Sequence, residues 1–287
     1  MARNFRILNI FTLPDQDYSG NPLCVFEDGR GLSEDDMLAL AGQMGMETIV
    51  LVPEAGKDGS TLARFFQPHR ETGFAGSASI GAAYVLRQLG GDSVEGTRGG
   101  ITVHRRAEDI TVWHDQDDLW WIDGRPSTVR PINTETRFLA GLVGRKIGAL
   151  GSPVMAVKGS REAVVIPLKT VQDVHDANLD ARLLHQYALL LNTEPTVYVF
   201  AKSDDHTIEG RMFYGPSGGV LEVPATASGT GNLGTYLATN GDSGVRYTVN
   251  QGSEVGRPSV MELTIGQDGK VSVGGRVRQV ATGVVGS

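Results

Sequence analysis

The sequence predicts an α+β protein built from two similar halves. Short apolar or alternating runs, the mark of strands, far outnumber stretches of helical periodicity. Strands and helices do not alternate regularly, so an all-parallel sheet is not expected. The middle of each half also repeats. Arg64 to Leu86, RFFQPHRETGFAGSASIGAAYVL, and Arg211 to Ala238, RMFYGPSGGVLEVPATASGTGNLGTYLA, share one order: Arg, an apolar residue, Phe, a nearby Pro, a Glu, a small-residue turn with Ser, and a Gly-rich helix start. A duplicated unit is the economical reading. Two such units facing each other would set two helix N-termini across one cleft.

The first half opens with strand-like runs FRILNIF, LCVFE, TIVLVP and TLARFFQP, followed by GITVHR, ITVWH and LWWID. Two helices interrupt them. Ser33 is an N-cap for EDDMLALAGQMG, whose acidic first turn suits the positive end of the helix dipole and whose Met37, Leu38, Ala41 and Met44 share a face. SASIGAAYVLRQLG begins near Ser77 and stops at Gly90 and Gly91. In the second half the strands are EAVVIPL, PTVYVFA, IEGRMFY, RYTVNQ, VMELTIG and KVSVGG, with helices DARLLHQYALLL and GTGNLGTYLATNG. Asp268-Gly269 marks a hairpin turn between the last two strands.

A chain of 287 residues can bury a substantial core, and its length suits two domains of moderate size. No window reaches the roughly 18 apolar residues of a membrane span, and the N-terminus carries no signal-peptide pattern. A cytoplasmic protein without membrane association is expected. The single cysteine, Cys24, excludes an internal disulfide and a cysteine-based metal cluster. The histidines show no metal-ligand spacing, so no metal is expected. A net charge of -7 argues against nucleic acid as a partner and for a small molecule.

Gly219 to Gly234, GVLEVPATASGTGNLG, contains G-x-G-x-x-G, but a dinucleotide fingerprint needs a hydrophobic strand directly before the glycines. EVPATAS stands there instead. The better reading is a helix start whose free N–H groups hold an anion such as a substrate carboxylate, with Ser77, Ala78 and Ser79 as its counterpart in the first half.

SGNPLCVF, FFQPHRETGFAGSASIGAA, RMFYGPSGGVLEVPATASGTG and QGSEVGRPS together resemble, in order, the landmarks of the phenazine-biosynthesis isomerase (PhzF-like) family. Those landmarks read G-N-P-x-A-V, F-T-P-x-x-E-x-P-F-A-G-H, E-D-P-A-T-G-S and Q-G-x-x-x-G-R-P-S. The resemblance runs from about residue 5 to 280. It implies the diaminopimelate-epimerase-like fold, two pseudo-symmetric domains that are each a curved, mostly antiparallel sheet around a central helix, with the active site between them. The domains would cover residues 1–125 and 126–274, and the segment from about 275 to 287 would pack back on the first. A cofactor-free homodimer acting on a small carboxylate is implied as well.

The departures shape the expected chemistry. Ser77 stands where the family has His, Val223 where it has Asp, and Ala227 replaces the glycine of A-T-G-S, while the serine is kept as Ser228. In the epimerase branch Ser77 and Ser228 would fall on the two catalytic thiol positions, and neither thiol is present. Two-base racemisation needs a proton acceptor on each face, which serine without a neighbouring base supplies poorly. The resemblance places the family's acid/base carboxylate on Glu47 in GMETIVLV. One carboxylate can take a proton from one carbon and return it to another, provided burial beside Met46 and Ile49 to Val52 raises its pKa.

The expected reaction is therefore a double-bond shift in an unsaturated amino acid or related carboxylate of antibiotic biosynthesis. Ser77, Ala78 and Ser79, with Ser228, Gly229, Thr230 and Gly231, would hold the carboxylate and the enolate-like charge. Asn21 would shape the first strand pair beside the cleft, and His69 would be a substitute for the missing His or a solvated loop residue. Glu71 and Glu222, at matching places, would accept from turn N–H groups. Two alternatives stay open: an epimerase or dehydratase of a cyclic amino acid, and a catalytically inactive ligand-binding homologue.

Overall fold

The computed structural model describes residues 2–53, 61–73, 76–90, 100–105, 108–215 and 219–286. The chain divides into two compact units, Met1–Asp123 together with Gly274–Ser287, and Gly124–Val273.

The first unit contains β1 (Arg3–Ile10), β2 (Asn21–Phe26), α1 (Glu34–Met44), β3 (Glu47–Pro53), β4 (Thr61–Gln67), β5 (Arg70–Thr72), α2 (Gly76–Gln88) and the short strands β6 (Ile101–Val103), β7 (Ile110–His114) and β8 (Trp120–Asp123). Its six-stranded sheet begins with the C-terminal strand Val277–Val285 and continues β1-β2-β3-β4-β5. Only β2 and β3 run parallel, and α1 makes the crossover between them. The other neighbours are antiparallel. Ser33 caps α1 as its sequence indicates, in a reciprocal box with Asp36, and Gly45 ends it in the left-handed conformation at φ 65°.

The second unit adds β9 (Thr128–Pro131), α3 (Thr136–Leu142), β10 (Met155–Lys158), β11 (Glu162–Pro167), α4 (Val171–His175), α5 (Ala181–Leu191), β12 (Thr196–Lys202), β13 (Thr207–Tyr214), β14 (Leu221–Val223), α6 (Ala227–Thr239), β15 (Val245–Gln251), β16 (Ser259–Ile265) and β17 (Val271–Gly275), the last ending just past the unit's boundary. Gly269 turns the chain between β16 and β17 at φ 77°.

Strand pairing makes the duplication concrete. The order β9-β10-β11-β12-β13-β14 repeats the first unit's sheet strand for strand, with the single parallel pair at β11 and β12 and helices in that same crossover. In each unit the short strand after the hairpin leads into a helix, α2 or α6. Residues Gly76 to Ala83 of α2 are buried without a break, and eight residues of α6 are buried. A helix closed in on nearly all sides is apolar all round and needs small residues where a neighbouring element comes close. At Gly81 a Cβ would stand 3.0 Å from Leu23, and at Gly234 one would stand 2.6 Å from Val271, so glycine permits this approach. The opposite sheet face carries a second core, where Cys24, Phe26, Val50 and Phe66 pack on Met37 and Ala41 of α1.

Candidate active site

Glu47 is the first residue of β3 and is half-buried. It pairs across the parallel ladder with Leu23, whose side chain meets α2 at Gly81, as does that of Ile49 two residues further along β3. Because paired residues share a sheet face and alternate residues return to it, Glu47, Asn21, Leu23 and Ile49 all belong to the face covered by α2. Asn21 opens β2 opposite Ile10, at the end of the sheet where Glu47 opens β3. In the first turn of α2, Ser77 keeps 7% of its surface and Ala78 and Ser79 none. His69 is exposed at the tip of the β4–β5 hairpin. The turn beside it leans toward α1, where Pro68 O would be 3.4 Å from a Cβ on Gly42.

In the second unit Thr226 caps α6, and its hydroxyl accepts from Gly229 N at 3.4 Å and contacts Ser228 Oγ at 2.9 Å. The helix thus starts two residues earlier than its glycines suggest. Gly229, Gly231 and Gly234 lie inside its first turns, whereas a dinucleotide site would use them in the turn ahead of the helix. Ser228 and Gly231 are partly accessible, and nothing stands within 4 Å of a Cβ placed on Gly231. Gly229 and Thr230 turn inward: a Cβ on Gly229 would meet Met212 Sδ, and Thr230 Oγ1 donates to Met261 Sδ at 3.1 Å.

Equal spacing ties the two helix starts together. Ser77 follows Glu71, and Ser228 follows Glu222, by the same interval. The carboxylates of Glu71 and Glu222, expected at turn N–H groups, accept from the guanidinium groups of Arg64 and Arg211. Charge-assisted, two-point hydrogen bonding favours that pairing, and the order Arg-x-Phe followed by Glu, common to both halves though at different spacings, was the available signal. Phe66 pairs with Thr48 and Phe213 with Val197, so the residue matching Glu47 is Thr196, which is 1% exposed. At this matched pair of positions the first unit offers a carboxylate and the second does not.

The fourth motif also joins α6. Gln251 Nε2 donates to Val223 O at 2.7 Å, and Gln251 Oε1 accepts from the Tyr198 hydroxyl at 3.3 Å. Gly252, at φ 84°, lies where a Cβ would come within 2.5 Å of Pro224 O. Burial drives the Tyr198 hydroxyl well above the usual phenol range, so Tyr198 remains a neutral donor there. Among the described residues no cluster of His, Cys, Asp and Glu is arranged for a metal, and no helix is long and apolar enough to cross a membrane.

A sheet-and-helix unit used twice, with a small-residue helix start in each copy, defines the diaminopimelate-epimerase-like fold. The chain belongs to the phenazine biosynthesis-like protein family, whose model matches residues 8–283. It is 27% identical to an uncharacterised isomerase of Pasteurella multocida, over 97% of this chain and 92% of that one. It is 28% identical to the trans-2,3-dihydro-3-hydroxyanthranilate isomerase of Pseudomonas aeruginosa, over 89% of this chain and 88% of the relative. A Bacillus anthracis phenazine biosynthesis protein of the PhzF family superposes with a TM-score of 0.83 over the whole of both chains at 20% identity. The protein is an isomerase.

Proposed function

We propose that this protein is a cofactor-independent isomerase that shifts a double bond in an unsaturated amino acid or related small carboxylate, with Glu47 as its one acid/base. The observation that carries this reading is the asymmetry at matched strand starts, Glu47 in the first unit and Thr196 in the second. A racemase needs an acceptor for each face, whereas a double-bond shift needs one group that removes a proton and returns it to another carbon. Glu47 stands half-buried next to Met46 on a face lined by Leu23 and Ile49. The first turns of α2 and α6 supply backbone donors and the positive end of a helix dipole for the substrate carboxylate and the developing enolate. A relative at 28% identity that is named for isomerising a dihydro-hydroxyanthranilate lends this substrate class further support. With this reading go a cytoplasmic location, a homodimer and a place in antibiotic biosynthesis.

Deuterium incorporation from heavy water into a panel of unsaturated cyclic and open-chain amino acids, followed by NMR and mass spectrometry, tests the reaction. Label should enter at a vinylogous carbon in the wild type, and Glu47→Gln should reduce it at least ~100-fold while keeping the fold. Label confined to the α-carbon, or label indifferent to the substitution, rules out the one-base isomerase.

A further inference from the structure

Arg211 is the hub of the framework around the start of α6. Its Nη1 donates to the carbonyls of Val174, His175 and Ala177 at the end of α4, at 3.0, 2.8 and 2.7 Å. Its Nε and Nη2 hold Glu222 of β14. A second carboxylate reaches the same guanidinium from the loop between β15 and β16, for Glu254 Oε2 lies 3.7 Å from Arg211 Nε. The other oxygen of Glu254 contacts His175 Nδ1. Glu254 therefore spans from the loop to the end of α4, held from two sides.

The loop is fastened at its base as well. Gln251 holds Val223 O, and left-handed Gly252 lies against the carbonyl of Pro224, two residues before the Thr226 cap of α6. Ser253–Val255 form a single 3₁₀ turn between left-handed Gly252 and Gly256, and Arg257 N returns to Gly252 O at 3.0 Å. A tight turn of this kind moves as a unit, so fixing its tip at Glu254 fixes the backbone packed on Pro224 and, through it, the entry into α6.

We propose that Glu254 is a positioning residue for the carboxylate-binding start of α6: gripped by His175 and Arg211, it holds the 252–257 turn against Pro224 and keeps Ser228 to Gly231 in their binding geometry. The inference rests on the reading of that helix start as a carboxylate site. Two substitutions probe the grip from opposite ends, Glu254→Gln on the loop and His175→Gln on α4.

Hydrogen exchange of the full chain by mass spectrometry gives a readout independent of substrate. Peptides covering residues 252–258 and 224–231 should exchange about tenfold faster in both variants, with residues 3–26 unchanged. Calorimetric titration with 3-hydroxyanthranilate, a stable aromatic carboxylate, should show affinity about tenfold weaker in both variants at a temperature where each is fully folded. Unchanged exchange at 224–231 overturns the proposal, as does unchanged affinity alongside faster exchange. If the wild type does not bind 3-hydroxyanthranilate, the carboxylate reading of α6 is what fails. Faster exchange at 224–231 then still upholds the hold of Glu254 on the helix start, and unchanged exchange overturns it.

Discussion

Arg211 and Glu222 form a two-point ion pair, Nε to Oε1 at 3.0 Å and Nη2 to Oε2 at 2.6 Å, and Arg64 and Glu71 repeat it in the first unit at 2.8 and 2.6 Å. Each guanidinium also lies over the phenyl ring two residues on, Phe213 at 4.8 Å and Phe66 at 5.2 Å. The two pairs differ in burial. Both side chains of the Arg211 pair are under a tenth exposed, whereas Glu71 keeps 24%. Losing one partner of a buried pair leaves a charge short of compensation, and Arg64 keeps Glu34 at 3.0 Å whereas Arg211 keeps Glu254 only at 3.7 Å. Glu222→Gln should therefore cost about 3 kcal/mol in urea unfolding, and Glu71→Gln roughly 1 kcal/mol. Equal costs would show that burial does not set the difference.

Gly231 and Gly252 should respond oppositely to alanine. At Gly252 the backbone is left-handed at φ 84° and a Cβ would lie 2.4 Å from Arg257 O, so Gly252→Ala should destabilise by about 2 kcal/mol or more. At Gly231 the added methyl meets nothing within 4 Å and removes glycine's entropy cost inside a helix. Gly231→Ala should be neutral or stabilising by about 0.5 kcal/mol and should weaken 3-hydroxyanthranilate binding. Undiminished binding would remove Gly231 from the site.

Cys24 has no exposed surface, and burial pushes its thiol up to about 12. The thiolate, the reactive form, is then scarce at ordinary pH. Folded protein at pH 8 should not react with a thiol-specific disulfide reagent, while urea-unfolded protein should take up one equivalent. Rapid labelling of the native chain would contradict the packing of β2 against α1.

Asp173 is held below the usual carboxylate range by the Thr170 hydroxyl and by Arg145. A depressed carboxyl contributes stability that is complete above its unfolded pKa, near 3.9, and is lost as pH falls through the lower folded value. Wild type and Asp173→Asn should accordingly converge in stability as pH drops below about 4, with the wild type more stable at pH 7. Denaturation midpoints measured from pH 7 to 3 check this, and a gap that widens toward acid would reverse the sign.

Much of the architecture was legible because its signals are local. Ser33 before an acidic first turn and Gly45 after the last apolar residue bracket α1, and both caps form. Four-residue strands such as Thr128–Pro131 and Met155–Lys158 were not legible, nor was five-residue α4, since so few residues show no period. The start of α6 was misplaced by two residues because Thr226, not a glycine, supplies the cap. Thr196 as the counterpart of Glu47 could not be read at all without knowing which residues face Phe66 and Phe213 across the ladder.

The amino-acid sequence by itself determined the duplication, the balance of strands over helices and the small-residue helix starts near Ser77 and Ser228, because each is written in neighbouring residues or in equal spacing between two segments. Only the tertiary structure decided that Glu71 and Glu222 serve arginines, that Glu47 and Asn21 share the face under α2, and that Glu254 reaches the end of α4. Those relationships depend on strand register and on contacts between residues tens of positions apart, and a register shift of one residue would turn every side chain concerned to the other face of its sheet.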